Sequence, residues 1–289
     1  EKKTQHCSCR LACLIIGKRT LFFHLALVSM SNRKEKYAVI TGASQGLGSA
    51  FAKELAAQQL NLILVSLPQQ NLAAFAKFIS NTYQVEVHYY ETDLSVKENV
   101  LMLCDWINQN FEVQVLINNA GLGGTKKFTE ASMQYIDTIM QVNVVATSLL
   151  THQLLPNLLQ QKEAYILNVS SMAAFSPIGY KTVYPASKTF IHSFSRGLSE
   201  ELKNTGVVVS VVNPGAMATN AEVTSRIKKL GFVGRLTLLK PEKVAGRCIR
   251  QLFKKDRVIM VNPWSWLAMA LLPIWIKLPL LTNNIKREI

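Results

Sequence analysis

The stretch YAVITGASQGLG, Tyr37–Gly48, decides the fold of this 289-residue chain. Tyr37–Thr41 is a short apolar, β-branched run, and Leu47–Gln58 (LGSAFAKELAAQ) has the spacing of a helix. Gly42, Gly46 and Gly48 let the backbone between them turn tightly and approach a ligand with no side chain in the way. A helix that starts at such a turn presents unpaired N–H groups and a partial positive charge, which suit a pyrophosphate. A mere packing turn would use the same glycines. The strand before and the helix after favour dinucleotide binding.

Working outward, the same alternation repeats. Apolar runs at Asn61–Ser66, Val85–Tyr90, Val113–Asn118, Ala164–Ser171, Val207–Asn213 and Arg257–Val261 read as strands. Helical patterns lie between them at Asn71–Ser80, Val96–Gln109, Ser132–Gln160, Tyr184–Lys203 and Pro241–Phe253. Asp93 or Ser95 is placed to cap the third of the helices. Continuous apolar strands alternating with long helices predict an α/β fold, a doubly wound parallel sheet of Rossmann type. The expected organisation is a leader at 1–35, one catalytic domain at 36–262, and an apolar, basic C-terminal extension at 263–289.

Charge is unevenly placed. The net charge of +14 comes from the two ends: residues 30–221 balance thirteen basic against thirteen acidic side chains, while residues 222–289 carry fourteen basic and four acidic. A basic segment beside apolar, Trp-rich sequence favours an anionic lipid surface over nucleic acid, and no finger or RNP pattern is present in the sequence. A solvated basic helix without a partner is the plainer alternative. The five cysteines form no disulfide framework. Cys104 and Cys248 read as small core residues. Cys7, Cys9 and Cys13 match no zinc spacing, so no metal is expected. The first methionine is Met30, and MSNRKEKYAVITGAS reads like a cytosolic start. Lys18 and Arg19 split the apolar bursts before it, which makes a poor signal peptide and a poor span. Residues 1–29 are therefore expected to be an extraneous upstream extension.

Tyr184 and Lys188 stand four apart at the start of a helix and so share a face. An ammonium there is expected to favour tyrosinate and lower the phenol pKa towards neutrality, as proton transfer requires. Ser171, or its neighbour Ser170, ends the preceding strand, where a hydroxyl can meet the same reacting oxygen.

Taken together these motifs resemble the short-chain dehydrogenase/reductase family. The set is T-G-x-x-x-G-x-G from Thr41, TDL at Thr92–Leu94, NNAG at Asn118–Gly121, and Y-x-x-x-K at Tyr184–Lys188. Ser171 lies thirteen residues before Tyr184 and Pro214-Gly215 thirty after it. All are in the family's order over about residues 36–262. The resemblance implies NAD(P)-dependent oxidoreduction at CH–OH groups. Tyr184 would be the general acid in reduction and the base in oxidation. Ser171 (favoured over Ser170 by its offset) would hold the carbonyl oxygen. Lys188 would also bind the nicotinamide ribose, and Asn143 would help hold a water relay. It implies cofactor contacts from Gly42, Ser44, Gln45, Gly46, Leu47 and Gly48. Further contacts would come from Asp93 and Leu94 near the adenine, Asn119, Ala120 and Gly121 along the adenosine, Pro214 and Gly215, and Thr219 near the carboxamide. A homodimer or homotetramer is implied as well. Ser66 stands where NAD enzymes carry an acid and Leu67 where NADP enzymes often carry arginine. The missing carboxylate favours NADP(H) over NAD(H), with Ser66 able to bond a 2′-phosphate.

The segment after Gly215 is mixed basic and apolar, with Gly231 and Gly234 as candidate hinges, and together with the tail it suggests a lipophilic ketone or alcohol. The tail PWSWLAMALLPIWIKLPLL, Pro263–Leu281, is interrupted by Pro273, Lys277 and Pro279. Its longest apolar run falls short of the roughly 20 residues that a span needs. It reads as a monotopic surface anchor bordering the substrate entrance, or as a dimer contact or pocket wall. A different-class alternative for the whole chain is a catalytically silent cofactor-binding sensor or scaffold, against which Ser171, Tyr184 and Lys188 speak.

Overall fold

Apolar runs that bury both faces produce one seven-stranded sheet. A computed structural model describes residues 36–215, 217 and 239–286. The leader with Cys7, Cys9 and Cys13, the expected site residue Thr219 and the segment bearing Gly231 and Gly234 lie outside the described residues. Strands β1 (Lys36–Thr41), β2 (Asn61–Ser66), β3 (Val87–Glu91), β4 (Glu112–Asn118), β5 (Ala164–Val169), β6 (Val207–Val212) and β7 (Val258–Ile259) pair in the order β3-β2-β1-β4-β5-β6-β7. Every pairing is parallel. From β1 the chain runs outward to β3, then returns to the other side of β1 to lay down β4. The strand order therefore reverses between β1 and β4, the switch point at which open α/β sheets bind ligands.

The connecting helices are α1 (Gly46–Ala57), α2 (Leu72–Tyr83), α3 (Lys97–Asn110), α4 (Met133–Met140), α5 (Thr147–Leu159), α6 (Val183–Glu201) and α7 (Pro241–Phe253). Strand alternation divides β1 between two cores. Ala38 and Ile40 pack with Phe51 and Leu55 of α1, Ile79 of α2 and Ile249 of α7. Tyr37 and Val39 pack on the other face with Leu103 and Ile107 of α3 and Leu150 and Leu154 of α5. Cys104 and Cys248 are buried core thiols, both pushed up to about 12 mainly by burial.

Two local expectations are corrected. Neither Asp93 nor Ser95 caps α3: its N-cap is Val96, without a side-chain bond. The Asp93 carboxylate instead accepts from the Ser95 N–H at 2.8 Å, closing an Asx turn that uses up the capping group. The helix foreseen across Ser132–Gln160 is interrupted by a π-helical turn, Gln141–Ala146, that contains Asn143.

The C-terminal extension forms two further helices, α8 (Pro263–Leu271) and α9 (Ile274–Lys286), broken at Pro273. From Lys36 onward the chain is one compact unit, extension included. Among the described residues no helix is long and apolar enough to cross a membrane.

Candidate active site

The glycine turn sits at the carboxyl end of β1, against the end of β4. Gly42 and Gly46 adopt φ of +65° and +57°, which side-chain-bearing residues reach only with strain. A Cβ on Gly48 would lie 2.0 Å from the Gly42 carbonyl oxygen, so only glycine lets α1 pack this close to the turn. The turn is tied down by Asn119, whose side-chain amide donates to the carbonyls of Thr41 (2.9 Å) and Gly42 (3.2 Å). In return Thr41 Oγ1 accepts from the N–H groups of Asn119 and Ala120, both at 3.0 Å. Ser44 and Gln45 stay accessible at the helix start, and Leu47 is buried beneath it. The result is a bare backbone cradle at a helix N-terminus, a shape and polarity that fit a dinucleotide pyrophosphate.

Around the cradle, Ser66 ends β2 buried, with its hydroxyl donating to the Leu67 carbonyl at 3.1 Å. Thr92 N–H donates to the Ser66 carbonyl at 2.8 Å, which draws Asp93 and buried Leu94 to the same rim. Pro214 is bound from the other side, its carbonyl accepting from Met172 N–H at 3.0 Å, and Gly215 follows it.

The reacting groups gather one strand further on. The Lys188 side chain is buried; its Nζ donates to the Val169 carbonyl at 3.0 Å and lies 5.9 Å from the centre of the Tyr184 ring. Ser170 and Ser171 part company. The buried Ser170 hydroxyl donates to the Lys188 carbonyl at 2.7 Å, inside the fold. Ser171 Oγ accepts from Ala173 N–H at 3.1 Å and is near enough to the Tyr184 phenol to favour its ionised form. Asn143 is almost wholly buried. Its amide brackets Leu122, accepting from the N–H and donating to the carbonyl at 2.8 Å each, and also donates to Ser187 Oγ at 2.9 Å. A Cβ on Gly121 would stand 3.1 Å from Lys188 Nζ and 3.3 Å from Asn143 Oδ1. The β4 loop thus reaches the lysine only as bare backbone.

The electrostatics correct one expectation. Burial pushes the Tyr184 phenol above its ordinary value, and the Ser171 hydroxyl only partly opposes it. Burial drives the Lys188 ammonium down as well, to about 8. Desolvation thus disfavours the charged form of both groups.

Residues 36–229 match the family described as short chain dehydrogenase. The chain belongs to the short-chain dehydrogenase/reductase family, oxidoreductases acting on CH–OH groups. An uncharacterized oxidoreductase of Staphylococcus saprophyticus is 34% identical over 191 residues, covering 66% of this chain and 82% of that protein. Very-long-chain 3-oxoacyl-CoA reductase of Anas platyrhynchos is 34% identical over 200 residues, 68% of this chain and 63% of the relative. Inactive hydroxysteroid dehydrogenase-like protein 1 of Homo sapiens is 32% identical over 208 residues, 71% and 62%. A family member from Burkholderia phymatum in complex with NAD has a TM-score of 0.73 at 25% identity, covering 82% of this chain and 92% of that one. One from Sphingobium yanoikuyae in complex with NADPH has a TM-score of 0.71 at 24%, covering 81% and 92%.

The sequence motifs assign no role to several members of this site. Thr41 and Ser187 were quoted within motifs without a role. Thr41 clamps the β4 loop, and Ser187 Oγ links Asn143 to Tyr184 by donating to the tyrosine carbonyl at 2.8 Å. An open cleft of about 390 Å³, lined by Leu122, Gly123, Ser132, Tyr135 and Ile139, was not foreseen either. It adjoins the tyrosine, since a Cβ on Gly123 would lie 3.2 Å from the Tyr184 ring. His192 lies 3.1 Å from the Asn213 amide (Nδ1 to Nδ2) and packs on the Phe175 ring.

Proposed function

We propose that this chain interconverts a lipophilic ketone and its secondary alcohol, with NADP(H) as the preferred nicotinamide and Tyr184 as the proton-transfer group. The observation that carries this reading is the Tyr184 phenol beside the Ser171 hydroxyl, with the Lys188 ammonium 5.9 Å from the centre of its ring, two strands along the sheet from the glycine cradle of β1. The nicotinamide, when bound, supplies or accepts the hydride.

The chain's own residues do the rest. In reduction Tyr184 Oη gives its proton to the carbonyl oxygen, and a phenol held above its ordinary value arrives in the protonated form which that step consumes. Ser171 Oγ, oriented by the Ala173 N–H, hydrogen-bonds the same oxygen as charge builds on it. In oxidation the tyrosinate takes the alcohol proton. Lys188 stabilises that anion, and its Nζ also bonds the ribose hydroxyls. Asn143 fixes the β4 loop and the water path that restores the proton. Gly42, Ser44, Gln45, Gly46, Leu47 and Gly48 receive the pyrophosphate half, and Asp93, Leu94, Asn119, Ala120 and Gly121 line the adenosine. Pro214 and Gly215 would hold the nicotinamide end, and the motif position of Thr219, outside the described residues, assigns it to the same part of the cofactor.

NADP(H) is favoured because the end of β2 itself carries no carboxylate, only Ser66 and the exposed Leu67. The lipophilic substrate class rests on the apolar extension, which this reading places peripherally on a membrane surface of the cytoplasm. The working unit is a homodimer or homotetramer. A panel of ketones and alcohols assayed with NADPH and NADH tests the whole reading. Turnover of long-chain or polycyclic ketones with NADPH supports it; selective turnover of small polar sugars with NADH would refute both the substrate and the cofactor assignments.

A further inference from the structure

The apolar extension hides a cation. Lys277 lies in the middle of IWIKLPLL yet is only 8% exposed. Its Nζ donates to the Met269 carbonyl at 2.8 Å and to the Phe175 carbonyl at 3.1 Å. Met269 is in the last turn of α8, and Phe175 ends the 3-10 turn Met172–Phe175 whose N-cap is Ser171. One ammonium therefore caps two helical C-termini, where unpaired carbonyls and the helix dipole favour positive charge. One further turn along α9, Thr282 Oγ1 accepts from the Gly179 N–H at 2.9 Å. A Cβ on Gly179 would lie 2.6 Å from the Thr282 methyl, so the two backbones meet closely. The pair of contacts grips both ends of residues 175–179, which join Ser171 to Tyr184.

The other side of the hairpin is apolar and open: Leu271 is 71% exposed, Ile274 55%, Trp275 73% and Leu278 40%. No acidic residue occurs between Asp256 and Glu288, and the exposed Lys286 stands in the last turn of α9. An anionic lipid surface complements that charge, and exposed tryptophan suits the boundary between headgroups and acyl chains. A second copy of the chain would set the same basic surface against itself across a two-fold axis.

We propose that the α8–α9 hairpin docks on an anionic bilayer through Leu271, Ile274, Trp275 and Leu278, and that Lys277 is a positioning residue coupling this docking to the Ser171–Tyr184 segment. The coupling rests on the catalytic reading above. Docking holds the hairpin seated, and the seated hairpin holds residues 175–179. Ser171 is then fixed for the carbonyl, so substrate engagement improves and cofactor binding does not change.

The test uses the full chain with vesicles of phosphatidylglycerol and phosphatidylcholine. The wild type floats with them, and its kcat/KM for a long-chain ketone rises about 10-fold, through KM for the ketone, with the affinity for NADPH unchanged. The triple variant Leu271→Ser, Ile274→Ser, Trp275→Ser neither floats nor responds. Lys277→Met still floats but loses the response, and its ketone KM is raised without vesicles. Thr282→Val gives a weaker effect of the same sign and covers the case in which Lys277→Met fails to fold. Vesicle stimulation of Lys277→Met equal to that of the wild type overturns the coupling, and a wild type that does not float overturns the docking. A triple variant that turns from dimer to monomer while vesicles have no effect identifies a second copy as the occupant instead. Hydrogen exchange at the Gly179 amide separates this proposal from the catalytic one. Vesicles slow that exchange in the wild type and not in Lys277→Met, even if no ketone is turned over.

Discussion

The Lys188 Nζ lies 5.9 Å from the centre of the Tyr184 ring while donating to the Val169 carbonyl. The lysine is therefore held beside the phenol by a strand-end carbonyl, not by a carboxylate that would cancel its charge. Burial sets the protonation of both groups. A Tyr184 raised above its ordinary value stands protonated at neutral pH, the form that ketone reduction consumes. Alcohol oxidation needs the tyrosinate, so its kcat/KM should climb with pH across the alkaline range, and reduction should not climb with it. An oxidation profile flat from neutral to alkaline pH would contradict the proton-transfer assignment.

Lys188 makes a stability prediction of definite sign. Its pKa is about 8 in the fold against 10.5 ordinarily. Between those values the unfolded chain binds the proton and the folded chain does not, so stability rises with pH through that window. The full effect is of the order of 3 kcal/mol at 1.36 kcal/mol per unit. Above it the raised Tyr184 acts in the opposite sense, because the folded state then holds the extra proton. Lys188→Met should flatten the rise, stabilise the protein near neutral pH, and abolish turnover. Denaturant titrations from pH 7 to 10 measure it, and a mutant that unfolds more easily at pH 7 refutes it.

The adjacent serines should separate cleanly. Ser171→Ala removes the hydroxyl beside the Tyr184 phenol and should lower kcat about a hundredfold with little change in stability. Ser170→Ala leaves the buried Lys188 carbonyl without its donor, costing about 1–2 kcal/mol of stability with turnover largely kept. Steady-state rates and thermal melts on both variants check the pair.

The close-approach glycines are expected to be irreplaceable for different reasons. Gly48→Ala drives a Cβ into the Gly42 carbonyl at 2.0 Å, a backbone clash that should cost about 1–3 kcal/mol and weaken NADPH binding. Gly121→Ala crowds Lys188 and Asn143 instead, so it should reduce kcat more than stability. Cofactor titration and melting curves tell the two apart.

Cofactor choice is tested at one residue. Ser66→Asp places at the end of β2 a carboxylate that repels a 2′-phosphate and accepts from a ribose 2′-OH. The ratio of kcat/KM with NADPH to that with NADH should fall by about 10-fold or more, equivalent to ~1.4 kcal/mol. An unchanged ratio would place the selectivity elsewhere.

The fold was legible in the sequence because its signals are local. The glycine turn sits between a strand and a helix, and apolar strands alternate with helices of regular period. The residues at the cradle and around Tyr184 were legible because motif spacing fixes which strand end carries each. What stayed hidden depends on contacts between distant segments. Lys277 reads as an interruption of an apolar tail until it is seen on the carbonyl of Phe175, 102 positions away in the chain. The π turn around Asn143 breaks no hydrophobic period. The phenol's upward shift could not be read from a Tyr–Lys spacing, since spacing reports proximity and says nothing of desolvation.

The central claim is proton transfer by Tyr184, and Tyr184→Phe tests it most directly, since the ring is kept and only the hydroxyl is lost. Ketone reduction by this variant should be measured with NADPH saturating and with NADPH affinity and melting temperature determined in parallel. The account predicts native affinity and stability with kcat lowered by about a thousandfold. A variant that turns over at about the native rate would contradict it.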